Sequence, residues 1–157
     1  MTSLFDPNLT SLSWLEKAAI HFVNRWWNAK IPRPRHVALI VDGNRRYARA
    51  HNISIRRGNE LGVEHFVRVF AWCRALGIAE ISVYYFSIEN FKRSPMEVAC
   101  WLEIFQSNFK QIVVDLPHFD AHAIQCQVYG RLDLLPIDLQ RVISHVVAHT
   151  ANGNRQI

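Results

Sequence analysis

The chain has 157 residues, half of them hydrophobic, and 18 basic against 13 acidic side chains give a formal charge of +5. That length makes one domain able to bury a core of its own, and the moderate basic excess suits anionic partners: diphosphates, an anionic membrane surface or nucleic acid. No run approaches the roughly 18–20 apolar residues that cross a bilayer, and the first residues lack the basic stretch and apolar core of a signal peptide, which argues against an integral membrane protein.

Residues 1–31 read as a unit apart. Across Ser11–Trp27, Leu12, Leu15, Ala19, Phe22, Val23 and Trp26 recur every three or four positions and make one helical face, with Ser11 or Ser13 placed to cap it. Lys17, His21, Arg25 and Lys30 supply the polar side, and Trp14, Trp26 and Trp27 are the aromatics that favour a membrane interface. Packing on the protein's own core explains the same stripe equally well. Ile31–Arg35, reading IPRPR, is a short stiff connector into the main unit, residues 32–157.

His36–Val41 is an aliphatic run that predicts a buried strand, closed by the turn residues Asp42–Gly43–Asn44. Arg45, Arg46, Tyr47, Ala48 and Arg49 tolerate a helix, so Asp42 stands where strand hands over to helix, the edge at which open α/β sheets bind ligands. A hard carboxylate, a glycine that admits close backbone approach, and arginines beside the first free N–H groups of a helix together suit a magnesium ion shared with a phosphate ligand. A capping aspartate in a turn with solvated arginines accounts for the same residues without any ligand.

Gly58–Leu76 has helical spacing through Leu61, Phe66, Val69, Phe70, Cys73 and Leu76, and stops at Gly77. Ile81–Phe86 predicts a second strand, Ser87–Lys92 turns away, and Ser94–Pro95–Met96–Glu97 opens the next helix with capping-box residues, so Glu97 serves structure. That helix, from Pro95 to about Leu116, carries the apolar stripe Val98, Trp101, Leu102, Phe105, Phe109 and Ile112, which pattern alone assigns to a core or to a cavity wall. Ala123–Tyr129 predicts a third strand ended by Gly130, and Pro136–Ala151 a helix ended by Asn152–Gly153. Strand and helix alternate throughout, which predicts an α/β fold: a parallel sheet flanked by helices, preceded by the amphipathic helix. Asp42 and Ser87 both follow strands and so converge at the carboxyl edge of that sheet.

Cys73, Cys100 and Cys126 lie in apolar periodic segments without C-x-x-C pairing and read as reduced thiols. His118 with His122, and His145 with His149, are spaced i, i+4 but lack a third ligand or an accompanying Glu motif, so neither pair reads as a metal site.

Two blocks, HVALIVDGNRRYA from His36 to Ala48 and YYFSIENFKRSPMEV from Tyr84 to Val98, resemble in order and spacing the signatures of the cis-prenyltransferases, the family of undecaprenyl diphosphate synthase, and in particular the catalytic subunit of the eukaryotic dolichol-pathway enzyme. The resemblance runs from about Pro32 to the end of the chain. It implies head-to-tail condensation of isopentenyl diphosphate onto farnesyl diphosphate, with Mg2+ on Asp42. Gly43, Arg45, Arg46 and Arg93 are then diphosphate-binding, Asn44, Ser87 and Asn90 orient the incoming unit and pass on its proton, and Trp101, Leu102 and Phe105 line a tunnel for the growing chain. It further implies an accessory prenyltransferase subunit, peripheral contact at the cytosolic face of the endoplasmic reticulum membrane, and no nucleic acid. A non-catalytic partner subunit is the competing assignment, but such partners typically lack the first-signature aspartate, and Asp42 is present.

Two departures stand out. Where the family commonly offers R-x-x-G-H this chain reads Ile55–Arg56–Arg57–Gly58–Asn59, so an amide replaces an imidazole and Arg56 and Arg57 are left to supply charge. The later R-T-S-G-E block that binds isopentenyl diphosphate has no counterpart, and the chain stops near Gly153 where another strand is expected, so the sequence reads as a truncated N-terminal part, inactive by itself.

Overall fold

The structure is a computed structural model that describes residues 3–5, 10–152 and 155–156, without the side chains of 28–30 and 155–156; Gly153 and the side chain of Lys30 therefore lie outside it. Helix α1 (Trp14–Lys30) leads into strand β1 (His36–Ile40), the short helix α2 (Asn44–Ala50) and the long helix α3 (Ile55–Ala75). Strand β2 (Glu80–Tyr84), a 3-10 turn at Ile88–Lys92 and helix α4 (Pro95–Ala121) follow, then β3 (Ile124–Gln125), helix α5 (Ile137–His149) and β4 (Arg155–Gln156).

β1 and β2 pair in parallel with His36 opposite Glu80 and Ile40 opposite Tyr84, and β3 pairs in parallel with β4. The crossover from β1 to β2 runs through α2 and α3. Alternation along β1 and β2 sends Leu39, Ile81 and Val83 to the helix side, where Phe70 and Cys73 of α3, Phe119 of α4 and Ile124 complete the core. At about 25 cal/mol per Å2 of apolar surface removed from water, these side chains are the main source of stability.

Several sequence expectations change. β1 is not buried on both faces: Ile40 is 77% and Tyr84 59% exposed on the side away from α3, leaving one sheet face bare among the described residues. α4 does not stop before Pro117 but continues to Ala121, because Leu116 and Phe119 anchor it in the core and outweigh the lost N–H, a cost of about 3 kcal/mol. The third strand shrinks to two residues. Ala123 takes a positive φ of 52°, and Cys126 gives its N–H to the Thr150 hydroxyl rather than to a ladder partner. The strand expected after α5 begins as β4.

α1 starts two to three residues later than its apolar stripe, at the Ser13 cap, whose hydroxyl accepts from the Glu16 N–H in a capping box. Most of the stripe read from sequence faces outward, with Leu12 and Val23 half-buried. Glu16 accepts from Arg68 at 2.7 and 3.1 Å and from Trp72 Nε1 at 2.9 Å, and Asn24 donates to the Ala75 carbonyl, so α1 docks on α3 by polar contacts. Trp14, Leu15, Phe22 and Trp26 face outward.

Candidate functional site

The parallel register fixes the geometry. Because Ile40 lies opposite Tyr84 and the Val41 N–H donates to the Tyr84 carbonyl, the chain leaves both strands at the same edge, into Asp42–Gly43–Asn44 on one side and Ser87–Arg93 on the other. A second tie crosses between them: Arg45 of α2 sits 3.8 Å from Glu97 in the first turn of α4, where Glu97 also gives its N–H to the Ser94 cap. Glu97 is thus a cap and a bridge, a role the capping pattern alone concealed.

Gly43 has φ +93°, a left-handed conformation open to glycine at little cost, and it turns the chain straight into α2. The Asp42 carboxylate is 80% exposed, accepts the Gly43 N–H at 2.6 Å and takes Arg46 at 3.3 Å. This is a carboxylate at the surface with a cation beside it, open to solvent over most of its area.

α3 carries the other wall. A Cβ on Gly58 would stand 2.8 Å from the Asn44 carbonyl and 2.9 Å from the Ala48 Cβ, and one on Gly62 would stand 2.7 Å from Asn44 Oδ1. The two glycines, four residues apart on one face, let α2 settle onto α3 with Ala48 wholly buried and with the Asn44 amide over Gly62. Glycine at i and i+4 was the available signal, and it went unread. Beside this contact lies a cavity of about 510 Å3, walled by Leu39, Val41, Leu61, Phe66 and Val69 and mouthed by Asp42, Gly43 and Asn44. An apolar chamber with a polar, cation-flanked entrance fits an amphiphile with an anionic head.

The remaining expected residues fall in three groups. Ser87 and Asn90 meet directly, Asn90 Nδ2 donating to Ser87 Oγ at 2.8 Å, and Arg93 caps the same 3-10 turn with its side chain half-buried and unpaired among the described residues. Arg56 and Arg57 sit at the start of α3 but are held by carboxylates: Arg56 by Glu60 and Glu103, Arg57 by Glu60 and Glu64. Trp101 and Phe105 pack against Tyr85 and Phe86 in an aromatic cluster, with the Tyr85 hydroxyl taking a hydrogen bond from Asn108 and burial pushing its pKa up to about 12. Neither they nor the half-buried Leu102 line the cavity beneath Asp42. Asn59, where the family pattern has His, is 1% exposed and neither polar atom of its amide finds a partner among the described residues. Tyr47 stacks on His51 at 4.0 Å.

Among the described residues no group of three or more His, Cys, Asp or Glu side chains could cage a metal. A magnesium ion that takes one carboxylate and completes its shell with ligand phosphates and water needs no cage, and Asp42 has the exposure for it.

Residues 40–157 match the family model described as "Putative undecaprenyl diphosphate synthase". The dehydrodolichyl diphosphate synthase complex subunit DHDDS of Homo sapiens is 36% identical over 147 residues, covering 92% of this chain and 44% of that protein. A tritrans,polycis-undecaprenyl-diphosphate synthase (geranylgeranyl-diphosphate specific) of Thermoplasma acidophilum is 41% identical over 125 residues, 80% of this chain and 48% of that one. The crystal structure of lavandulyl diphosphate synthase from Lavandula x intermedia, in complex with dimethylallyl diphosphate, superposes with a TM-score of 0.70 at 29% identity over 79% of this chain and 52% of the other. The chain spans about half the length of the relatives it matches.

Proposed function

This chain belongs to the undecaprenyl diphosphate synthase family of prenyltransferases, and on that premise we propose that it forms the allylic-diphosphate half of a cis-prenyltransferase site serving dolichol-type polyprenyl synthesis. The observation that carries this reading is the shared strand edge: the Asp42 turn leaves β1 there at the mouth of an apolar cavity, and the Ser87–Arg93 turn follows β2 from the same edge.

The farnesyl chain would occupy the apolar chamber and its diphosphate the mouth. Arg46 is placed to exchange its exposed contact with Asp42 for diphosphate oxygens, and Arg93 has a guanidinium to offer from the other side. A magnesium ion held by Asp42 would offset charge on the departing diphosphate. The Asn44 amide, seated on Gly62, and the Ser87–Asn90 pair supply the polar groups that orient isopentenyl diphosphate and pass its proton on through hydrogen bonds, with the departing diphosphate as the base that finally takes it. Arg45 acts at one remove, tying α2 to α4 through Glu97 so that the two turns keep their spacing.

Condensation also requires a site for the second diphosphate. The R-T-S-G-E block that the family pattern assigns to it does not occur in these 157 residues, so the groups described above account for the allylic side of the site. Its expected place is the cytosolic face of the endoplasmic reticulum membrane, with the outward Trp14, Phe22 and Trp26 of α1 as the contact, supported by their exposure and by Lys17 and Arg25 between them.

The test is titration of the purified chain with farnesyl diphosphate, with and without Mg2+. Binding strengthened by the metal in wild type and indifferent to it in Asp42→Ala supports the assignment. Equal metal dependence in both removes Asp42 from the role, and incorporation of labelled isopentenyl diphosphate by the chain alone removes the half-site reading.

A further inference from the structure

α3 and α4 begin at the candidate site and end far from it, and at their far ends they hold Ser3–Phe5 by two unlike attachments. The first is polar. Asp115 of α4 is 4% exposed and has no ion-pair partner among the described residues. It is satisfied by neutral donors: the Ser3 hydroxyl at 2.9 and 2.8 Å to its two oxygens, the Leu4 N–H at 3.1 Å, and Gln111 Nε2 at 3.2 Å. Two of those three groups belong to the Ser3–Phe5 segment. A buried carboxylate that lost them would stand nearly unsolvated, so a place for Ser3 and Leu4 is built into α4.

The second attachment is apolar. The Phe5 ring stacks on His118 at 5.0 Å and on His122 at 5.7 Å, meets Phe70 and Phe119 edge-on, and has the Arg74 guanidinium 5.0 Å from its centre. Phe70 and Arg74 come from α3, His118 and Phe119 from α4 and His122 from its C-cap, so one ring joins the two helices. Its contacts need no covalent or ladder bond, and a segment of three residues held by side-chain contacts can leave as a unit while the core beneath it stays folded.

We propose that Ser3–Phe5 is a detachable clasp across the far ends of α3 and α4, and that the Ser3 hydroxyl is its charge-sensitive release point. A hydroxyl can donate to the Asp115 carboxylate; an anionic group at the same position cannot donate, and it repels. Negative charge on Ser3 therefore opens the clasp, and positive charge keeps it shut by replacing the donor. The inference stands on the Asp115 and Phe5 contacts alone and does not depend on the enzymatic assignment.

Hydrogen exchange of the full chain tests it, read at amides 70–75 and 115–122 with α5 as the internal reference. Ser3→Glu is expected to speed exchange at those amides tenfold or more while residues 137–149 stay protected. Ser3→Lys should remain near wild type, and adding Asp115→Asn to Ser3→Glu should restore most of the protection, since the repulsion is gone. Equal loss in the Glu and Lys variants would mean that only size matters and would overturn the release point. Loss of protection in α5 as well would show that the segment is part of the global fold and not a clasp, and no change in Ser3→Glu would sink the proposal outright.

Discussion

Two aspartates at opposite ends of the helical layer have opposite surroundings. Asp42 is 80% exposed, sits in a turn with a left-handed glycine, and has a cation and a backbone N–H beside it. Asp115 is 4% exposed and faces only neutral donors. A carboxylate left in water keeps its capacity to bind something that arrives later; one taken out of water has already spent that capacity on the fold. Exposure and partner type therefore separate ligand chemistry from structure more cleanly than residue identity does.

Breaking the first aspartate should have the largest effect, and only on binding. Asp42→Ala is expected to weaken magnesium-assisted farnesyl diphosphate binding by roughly a hundredfold, while unfolding free energy moves by less than about 0.5 kcal/mol. Titration calorimetry beside urea unfolding measures both. Breaking the second should do the reverse: Asp115→Ala strands the Ser3 hydroxyl, the Leu4 N–H and Gln111, and costs about 1–3 kcal/mol of stability with binding intact.

Gly58→Ala sharpens the contrast by disturbing Asn44 without touching either carboxylate. Its new methyl would meet backbone, the Asn44 carbonyl, and cannot be relieved by a side-chain rotation, so α2 must move; about 1–3 kcal/mol is expected. Gly62→Ala meets only the Asn44 side chain and should cost less stability, with a disproportionate loss of substrate orientation. Comparing the two by unfolding and by ligand affinity separates the packing role of the glycines from their placement of the amide.

The smallest effect concerns a third carboxylate, intermediate between the other two. Hydrogen bonds from Ser13, chiefly, and from Trp72 and Arg68 hold the Glu16 pKa down to about 2 from an ordinary 4.5. The ionised form is the one favoured in the folded state, so its contribution is whole above about pH 4.5 and is lost as pH falls toward 2. Docking of α1 should weaken across that window, visible as a change in Trp72 fluorescence, and Glu16→Gln should flatten the response.

What the sequence made legible was local. β1 with its Asp42–Gly43 turn, the span of α3 and the Ser94 start of α4 follow from residue type and spacing within a dozen positions, and the shared edge of Asp42 and Ser87 follows from alternation of strand and helix. What was missed depends on distant chain segments. The apolar stripe of α1 left a membrane-facing and a core-packed helix equally open, and only the partners that Glu16 and Asn24 find on α3 some fifty positions away show that Trp14 and Phe22 turn outward. Arg56 and Arg57 stand in the sequence as charge for a phosphate ligand, and only the folded chain brings Glu103 of α4 against Arg56. The Ser3–Asp115 contact, across 112 positions, leaves no periodic trace at all.

Gly43 carries one more consequence, in the language of handedness. Its φ of +93° and ψ of −8° are the mirror image of a conformation that ordinary L-residues adopt, and the space beside it is open, with Arg46 Nη2 the nearest atom at 3.8 Å from an added methyl. L-alanine there would be strained by its backbone and not by crowding. D-alanine, introduced by chemical ligation, would find that backbone natural and would stiffen the unfolded chain, so a protein with one inverted centre should keep the turn and tolerate more heat than its parent.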